Sequence, residues 1–126
     1  MNREQLNRLT EEVIGAAIEV HRELGAGFLE STYERALSIE LDLRGIKHQT
    51  QYPCTLKYKG EDIGEGKLDL LVEGALIVEL KAIKELADAH KTQVLAYLKA
   101  TGHPIGLLIN FHSPLLKDGI RRVILD

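Results

Sequence analysis

The segment LIVELKAI, residues 76–83, constrains the fold of this 126-residue chain more than any other stretch. Six of its eight residues are apolar, as in a strand buried inside a protein, yet Glu79 and Lys81 interrupt the run. Side chains alternate between the faces of a strand, so both charged groups are expected on the same face as Ile77. Burying an ionised carboxylate is unfavourable unless the group is paired or binds a metal. The two charges therefore neutralise each other or belong to a site.

The periods of the apolar residues predict the other elements. Helical spacing predicts helices at residues 3–24, 29–44 and about 84–100. Apolar or β-branched segments predict strands at residues 46–60, 61–74, 76–83, 105–111 and 119–126. A helix between the third and fourth strands implies that these two strands are parallel. The order α-α-β-β-β-α-β-β, with no repeat or linker, predicts one α/β domain over residues 1–126.

The turn at Glu73-Gly74 brings charged residues of two strands together. An antiparallel hairpin centred on this turn pairs residues near Asp69 with residues 78–80. Asp69, Glu79 and Lys81 are then gathered at one end of the sheet. A local ion pair of Lys81 with either carboxylate is one explanation of these charges. The other is a divalent cation, because one or two carboxylates together with waters and phosphate oxygens commonly hold Mg²⁺.

Composition excludes several other kinds of protein. A single cysteine, Cys54, rules out an intramolecular disulfide and a cysteine-rich zinc site. No apolar run approaches the roughly 20 residues of a membrane-spanning helix, and the N-terminus has no apolar signal sequence. We therefore expect a cytoplasmic protein that does not bind membranes. The net charge is −3, with nine acidic and five basic residues in residues 1–45 and ten acidic and eleven basic residues in residues 46–126.

Two motifs resemble those of a known family. Asp69, Glu79 and Lys81 form the pattern D-x9-E-x-K, which resembles the signature of the PD-(D/E)xK nuclease superfamily. Upstream, the segment GFLESTY, residues 27–33, matches the G-x-x-E-x-x-Y motif of the GxxExxY protein family, which is placed in this superfamily. The resemblance implies a restriction-endonuclease-like core of order α-β-β-β-α-β over residues 29–111. An extra N-terminal helix and a short C-terminal strand flank that core.

The resemblance also implies a role for each matching residue. Asp69 and Glu79 would bind Mg²⁺ or Mn²⁺ together with the backbone carbonyl of Leu80, and Lys81 would be the catalytic lysine. Glu30 matches an additional carboxylate that binds a second metal or holds a metal-bound water. The predicted function is a metal-dependent nuclease that hydrolyses phosphodiester bonds of DNA.

Gln93 and Tyr97, one helical turn apart, resemble the Q-x3-Y motif of RecB-type exonuclease domains, which helps to position DNA. They are the predicted substrate-binding residues, although a hydrogen-bonded helix face explains them equally well. Likewise, Glu30 is also explained by the helix dipole, and Tyr33 by burial in the core.

Two further functions compete with the nuclease. One is a catalytically silent nuclease fold that binds nucleic acid or a protein partner, which the small size and the acidic helical half favour. The other is a structural partner in a larger assembly. A two-fold homodimer is the expected oligomer for a small nuclease acting on duplex DNA.

Overall fold

A computed structural model describes all residues, 1–126, and confirms the predicted order of elements. The elements are α1 (Arg3–Leu24), α2 (Glu30–Leu43), β1 (His48–Tyr58), β2 (Glu61–Val72), β3 (Leu76–Lys81), α3 (Asp88–Thr101), β4 (Ile105–Asn110) and β5 (Ile120–Ile124). A single 3-10 turn, Leu116–Gly119, precedes β5. No helix combines the length and apolar character that crossing a bilayer requires.

The boundaries of α1 follow from local chemistry. The Asn2 side chain accepts a hydrogen bond from the Gln5 N–H at 2.8 Å, and the Gln5 side chain accepts one from the Asn2 N–H at 2.9 Å. This reciprocal pair satisfies N–H groups that have no partner within the helix. The helix ends at Gly25, whose φ of 68° is accessible to glycine at little cost.

The third helix begins four residues later than predicted, at Asp88 instead of about Lys84. The reason is a non-local contact, because the Asn110 side chain binds both backbone polar groups of Ile83. Asn110 Oδ1 accepts from the Ile83 N–H at 3.1 Å, and Asn110 Nδ2 donates to the Ile83 carbonyl at 2.9 Å. These bonds fix the backbone at Ile83, where the chain bends over residues 83–85, so the helix starts only after Ala87.

The five strands form one sheet in the order β1-β2-β3-β4-β5. Strands β1, β2 and β3 are antiparallel neighbours, β3 and β4 are parallel as predicted, and β5 is antiparallel to β4. Leu70 lies opposite Val78, and Val72 lies opposite Leu76, which confirms the hairpin predicted at Glu73-Gly74.

Helices cover both faces of the sheet. α1 and α2 pack on a face that includes Leu70, Val78 and Leu107, whereas α3 packs on the other face against Ile77 and Leu108. Strand β3 is buried on both sides, so its apolar residues are explained by packing. Its charged residues lie at the end where the β2–β3 pairing stops.

The alternation of faces along β2 is broken at Asp69. Leu68 and Leu71 pack on the α3 side, although they are three positions apart, while Leu70 packs on the opposite side. In a regular strand, Leu68 and Leu70 would share a face. Asp69 therefore occupies an irregular position of β2, next to the point where β2 separates from β3.

Candidate metal centre and its surroundings

Asp69 and Glu79 meet at the point where β2 and β3 stop pairing through their backbones. Beyond the Leu70–Val78 pair, the carboxylates replace the backbone as hydrogen-bond acceptors. Asp69 Oδ2 accepts from the Leu80 N–H at 2.8 Å, and Glu79 Oε1 accepts from the Asp69 N–H at 3.2 Å. Each carboxylate thus binds the opposite strand with one oxygen, which brings the two acidic groups side by side.

Glu79 is the more buried of the two carboxylates, with only 4% of its surface exposed. Burial, and secondly the negative charge of Asp69, raise the pKa of Glu79 to about 8 from the ordinary 4.5. The hydrogen bond from the Asp69 backbone and the positive charge of Lys81 act in the opposite direction. Glu79 is therefore a desolvated acid beside a second carboxyl group, an arrangement that a cation would stabilise.

Lys81 ends β3 and is half-buried. Its ammonium group is in none of the six ion pairs, which join other residues. A direct ion pair with Asp69 or Glu79, one of the two explanations considered for these charges, is therefore wrong. The Lys81 carbonyl accepts a hydrogen bond from the Phe111 N–H at 2.9 Å, and the backbone just beyond it is held by Asn110.

Glu30 is the first residue of α2 and approaches the same group of charges from the α1–α2 side of the sheet. Partial burial, and then the charge of Asp69, raise the pKa of Glu30, while Lys81 lowers it. Its position depends on Tyr33, which is fully buried as predicted and stacks on Phe111 with 4.5 Å between ring centroids. The Tyr33 hydroxyl donates to the Gly25 carbonyl and accepts from the Phe28 N–H, so it anchors the loop that leads into α2.

Tyr97 and Gln93 lie on α3 and differ in their surroundings. The Tyr97 ring packs against Gly66, where a Cβ atom would stand 2.7 Å from Tyr97 Cε1. Burial, and then the charge of Glu79, raise the pKa of Tyr97. Gln93 is exposed and makes no side-chain hydrogen bond. Its predicted role in DNA binding stays a prediction.

Two residues near the site were missed by the sequence interpretation. Glu34 lies one turn after Glu30 on α2. Burial raises the pKa of Glu34, while a hydrogen bond from Gln51 lowers it. Gln51 Nε2 donates to Glu34 Oε1 at 2.6 Å and lies 3.5 Å from Asp69 Oδ1. The i, i+4 spacing from Glu30 would have identified Glu34, whereas no local pattern distinguishes Gln51 from the other exposed glutamines.

The residues present fit a hard divalent cation of the kind that keeps part of its water shell. No group of three or more His, Cys, Asp or Glu side chains forms a metal-binding cluster. Mg²⁺ needs only one or two carboxylates besides water and substrate oxygens, and Asp69 and Glu79 supply these. Because the Leu80 N–H points toward β2, the Leu80 carbonyl points toward the same side of β3.

Comparisons with known proteins agree with this architecture. No curated protein matches the sequence significantly. The crystal structure of SSO0001 aligns with a TM-score of 0.53 at 20% identity, over 76% of this chain and 50% of that chain. The chain thus spans about half the length of SSO0001, and the similarity concerns the fold.

A family model described as the PD-(D/E)XK nuclease superfamily matches residues 7–123. This match and the structural similarity confirm the restriction-endonuclease-like fold, while the narrower GxxExxY assignment stays a prediction. The chain belongs to the PD-(D/E)XK nuclease superfamily.

Proposed function

We propose that the protein is a Mg²⁺- or Mn²⁺-dependent nuclease that hydrolyses phosphodiester bonds of DNA. The observation that carries this proposal is the convergence of Asp69 and Glu79 where β2 and β3 separate, with Lys81 unpaired at the end of β3. Superfamily membership supports nuclease-type chemistry.

The proposed metal ligands are Asp69, Glu79 and the Leu80 carbonyl, and the proposed role of Glu30 on α2 is to bind a second metal or to hold a metal-bound water. A bound Mg²⁺ would polarise the phosphoryl group and acidify a water molecule. Glu79 must lose the proton that its raised pKa retains before it can bind a cation. Asp69, held by the Leu80 N–H, keeps its carboxylate beside Glu79 during this change.

The proposed role of Lys81 is to orient or deprotonate the attacking water and to offset the charge that develops on the phosphate. Two features support it. No carboxylate pairs directly with the ammonium group, so the group is available to a substrate. The Phe111 N–H donates to the Lys81 carbonyl, and the Asn110 side chain binds the Ile83 backbone, so the chain on both sides of the Lys81 carbonyl is held in place.

The proposed DNA-binding residues are Tyr97 and Gln93. The Tyr97 ring packs against Gly66 of β2, the strand that carries Asp69, so a nucleotide bound beside the carboxylates would contact this side chain. Gln93, one turn away and exposed, presents an amide to the backbone of the same strand.

Cleavage of labelled DNA, single-stranded and duplex, with Mg²⁺ or Mn²⁺ tests the proposal. We expect cleavage by the wild type, none by Asp69→Ala, and none in the presence of EDTA. Circular dichroism and thermal melting of Asp69→Ala show whether the variant is folded. Glu85→Gln, at an exposed position without an ion pair, is the matched control and should cleave normally. Absence of metal-dependent cleavage by the folded wild type would refute the proposal, and salt-dependent DNA binding without cleavage would support the silent binding module.

A further inference from the structure

Gln51 has an unusual backbone conformation for a residue within a strand. Its φ is 50°, in the left-handed region that residues with a Cβ atom rarely adopt. Two other non-glycine residues share this property, Lys59 and Glu73, and both lie in hairpin turns between strands. Gln51 lies inside β1 instead, so the formation of a turn does not explain its conformation.

The conformation coincides with the irregularity at Asp69. Residues from His48 to Leu56 of β1 pair in continuous register with residues of β2, except that Gln51 and Asp69 are both left out. The same point is where β2 exchanges the faces of its side chains. The departure from regular strand geometry is therefore shared by the two residues and lies directly beside the candidate metal centre.

The Gln51 side chain reaches two acidic groups from this position. Its amide nitrogen donates to Glu34 on α2 at 2.6 Å and lies 3.5 Å from Oδ1 of Asp69. Carboxylate oxygens only accept hydrogen bonds, so the nitrogen, with two protons, is the end of the amide that must face them. Oδ1 is also the Asp69 oxygen that the Leu80 N–H does not hold.

We propose that Gln51 is a positioning residue for the metal centre, which links α2 to Asp69 and directs Oδ1 toward a bound cation. This inference rests on the proposed function, because the cation is the one that Asp69 and Glu79 would bind. Groups that orient a metal ligand through a hydrogen bond typically change metal affinity or activity by about 10- to 100-fold. Because Gln51 is exposed and its contact with Asp69 is long, we expect a loss of about tenfold, at the lower end of that range.

Gln51→Gly tests the role of the side-chain amide without changing the backbone conformation. Glycine adopts a φ of 50° without strain, so this variant keeps the local chain path while it loses the amide. We expect thermal stability at least equal to that of the wild type. Calorimetric titration with Mn²⁺ should give about tenfold weaker binding. The Mn²⁺ concentration for half-maximal DNA cleavage should rise by the same factor, with the rate recovered at saturating Mn²⁺.

Two further variants complete the test. Gln49→Ala, at an exposed glutamine of β1 without side-chain hydrogen bonds, is the control and should bind Mn²⁺ like the wild type. If Gln51→Gly does not fold, Gln51→Asn replaces it, since asparagine tolerates the left-handed conformation but its amide is one methylene shorter. Normal Mn²⁺ affinity of a folded Gln51 variant overturns the positioning role and leaves the proposed function intact. Failure of the wild type to bind Mn²⁺ overturns both.

Discussion

Replacing Glu79 by glutamine should stabilise the metal-free protein at alkaline pH. The pKa of Glu79 rises from 4.5 to about 8 on folding, chiefly through burial. The folded state thus retains a proton that the unfolded state releases. The contribution of Glu79 to the free energy of unfolding is therefore lost as pH rises from 4.5 through 8. Because a tenfold change in proton affinity corresponds to about 1.4 kcal/mol, wild-type stability should fall by about 3 to 4 kcal/mol between pH 5 and pH 8.

Glutamine removes this dependence while it keeps an oxygen that accepts from the Asp69 N–H. Glu79→Gln should therefore match the wild type near pH 5 and exceed its unfolding free energy by about 3 kcal/mol at pH 8. Urea denaturation followed by circular dichroism, at several pH values in EDTA, measures the difference. Glu85→Gln, at an exposed acid, is the control. Parallel stability curves for wild type and Glu79→Gln would show that Glu79 is not held in its protonated form.

Three further predictions concern neighbouring residues. Without metal and above pH 8, where Glu79 is ionised, Asp69→Asn should melt no lower than the wild type, because it removes repulsion with Glu79 and still accepts from the Leu80 N–H; a large drop in melting temperature would indicate a structural charge instead. Lys81→Ala should slow single-turnover DNA cleavage by about 10²- to 10⁴-fold with little change in DNA affinity. Lys81→Arg should recover little activity, because guanidinium cannot act as a base at neutral pH. A normal cleavage rate for Lys81→Ala would exclude the catalytic role. Gly66→Ala should lower the free energy of unfolding by about 1 to 3 kcal/mol, because the added Cβ atom would stand 2.7 Å from the Tyr97 ring. In denaturant titrations, Gly66→Ala should lower the free energy of unfolding by less in a Tyr97→Ala background than in the wild type.

The elements and the meeting of Asp69 with Glu79 were predictable because they depend on short-range patterns. A hairpin turn fixes strand register, so Glu73-Gly74 determined that residues near 69 would lie beside residues 78–80. Helical spacing placed Glu30 at the start of α2, and alternation placed Glu79 and Lys81 on β3. Burial of Tyr33 followed from the same periodicity.

Tertiary structure decided which groups contact one another across the chain. The sequence alone allowed two explanations for the charges on β3, an ion pair and a metal site. The folded structure excludes a direct ion pair of Lys81 with Asp69 or Glu79. The late start of α3 depends on Asn110, 27 residues beyond the Ile83 that it binds. Gln51 reaches Glu34 only because β1 leaves regular strand geometry beside Asp69. Periodicity indicates which face of an element is buried. A hydrogen bond between distant elements depends on how those elements pack, and no local sequence pattern predicts that packing.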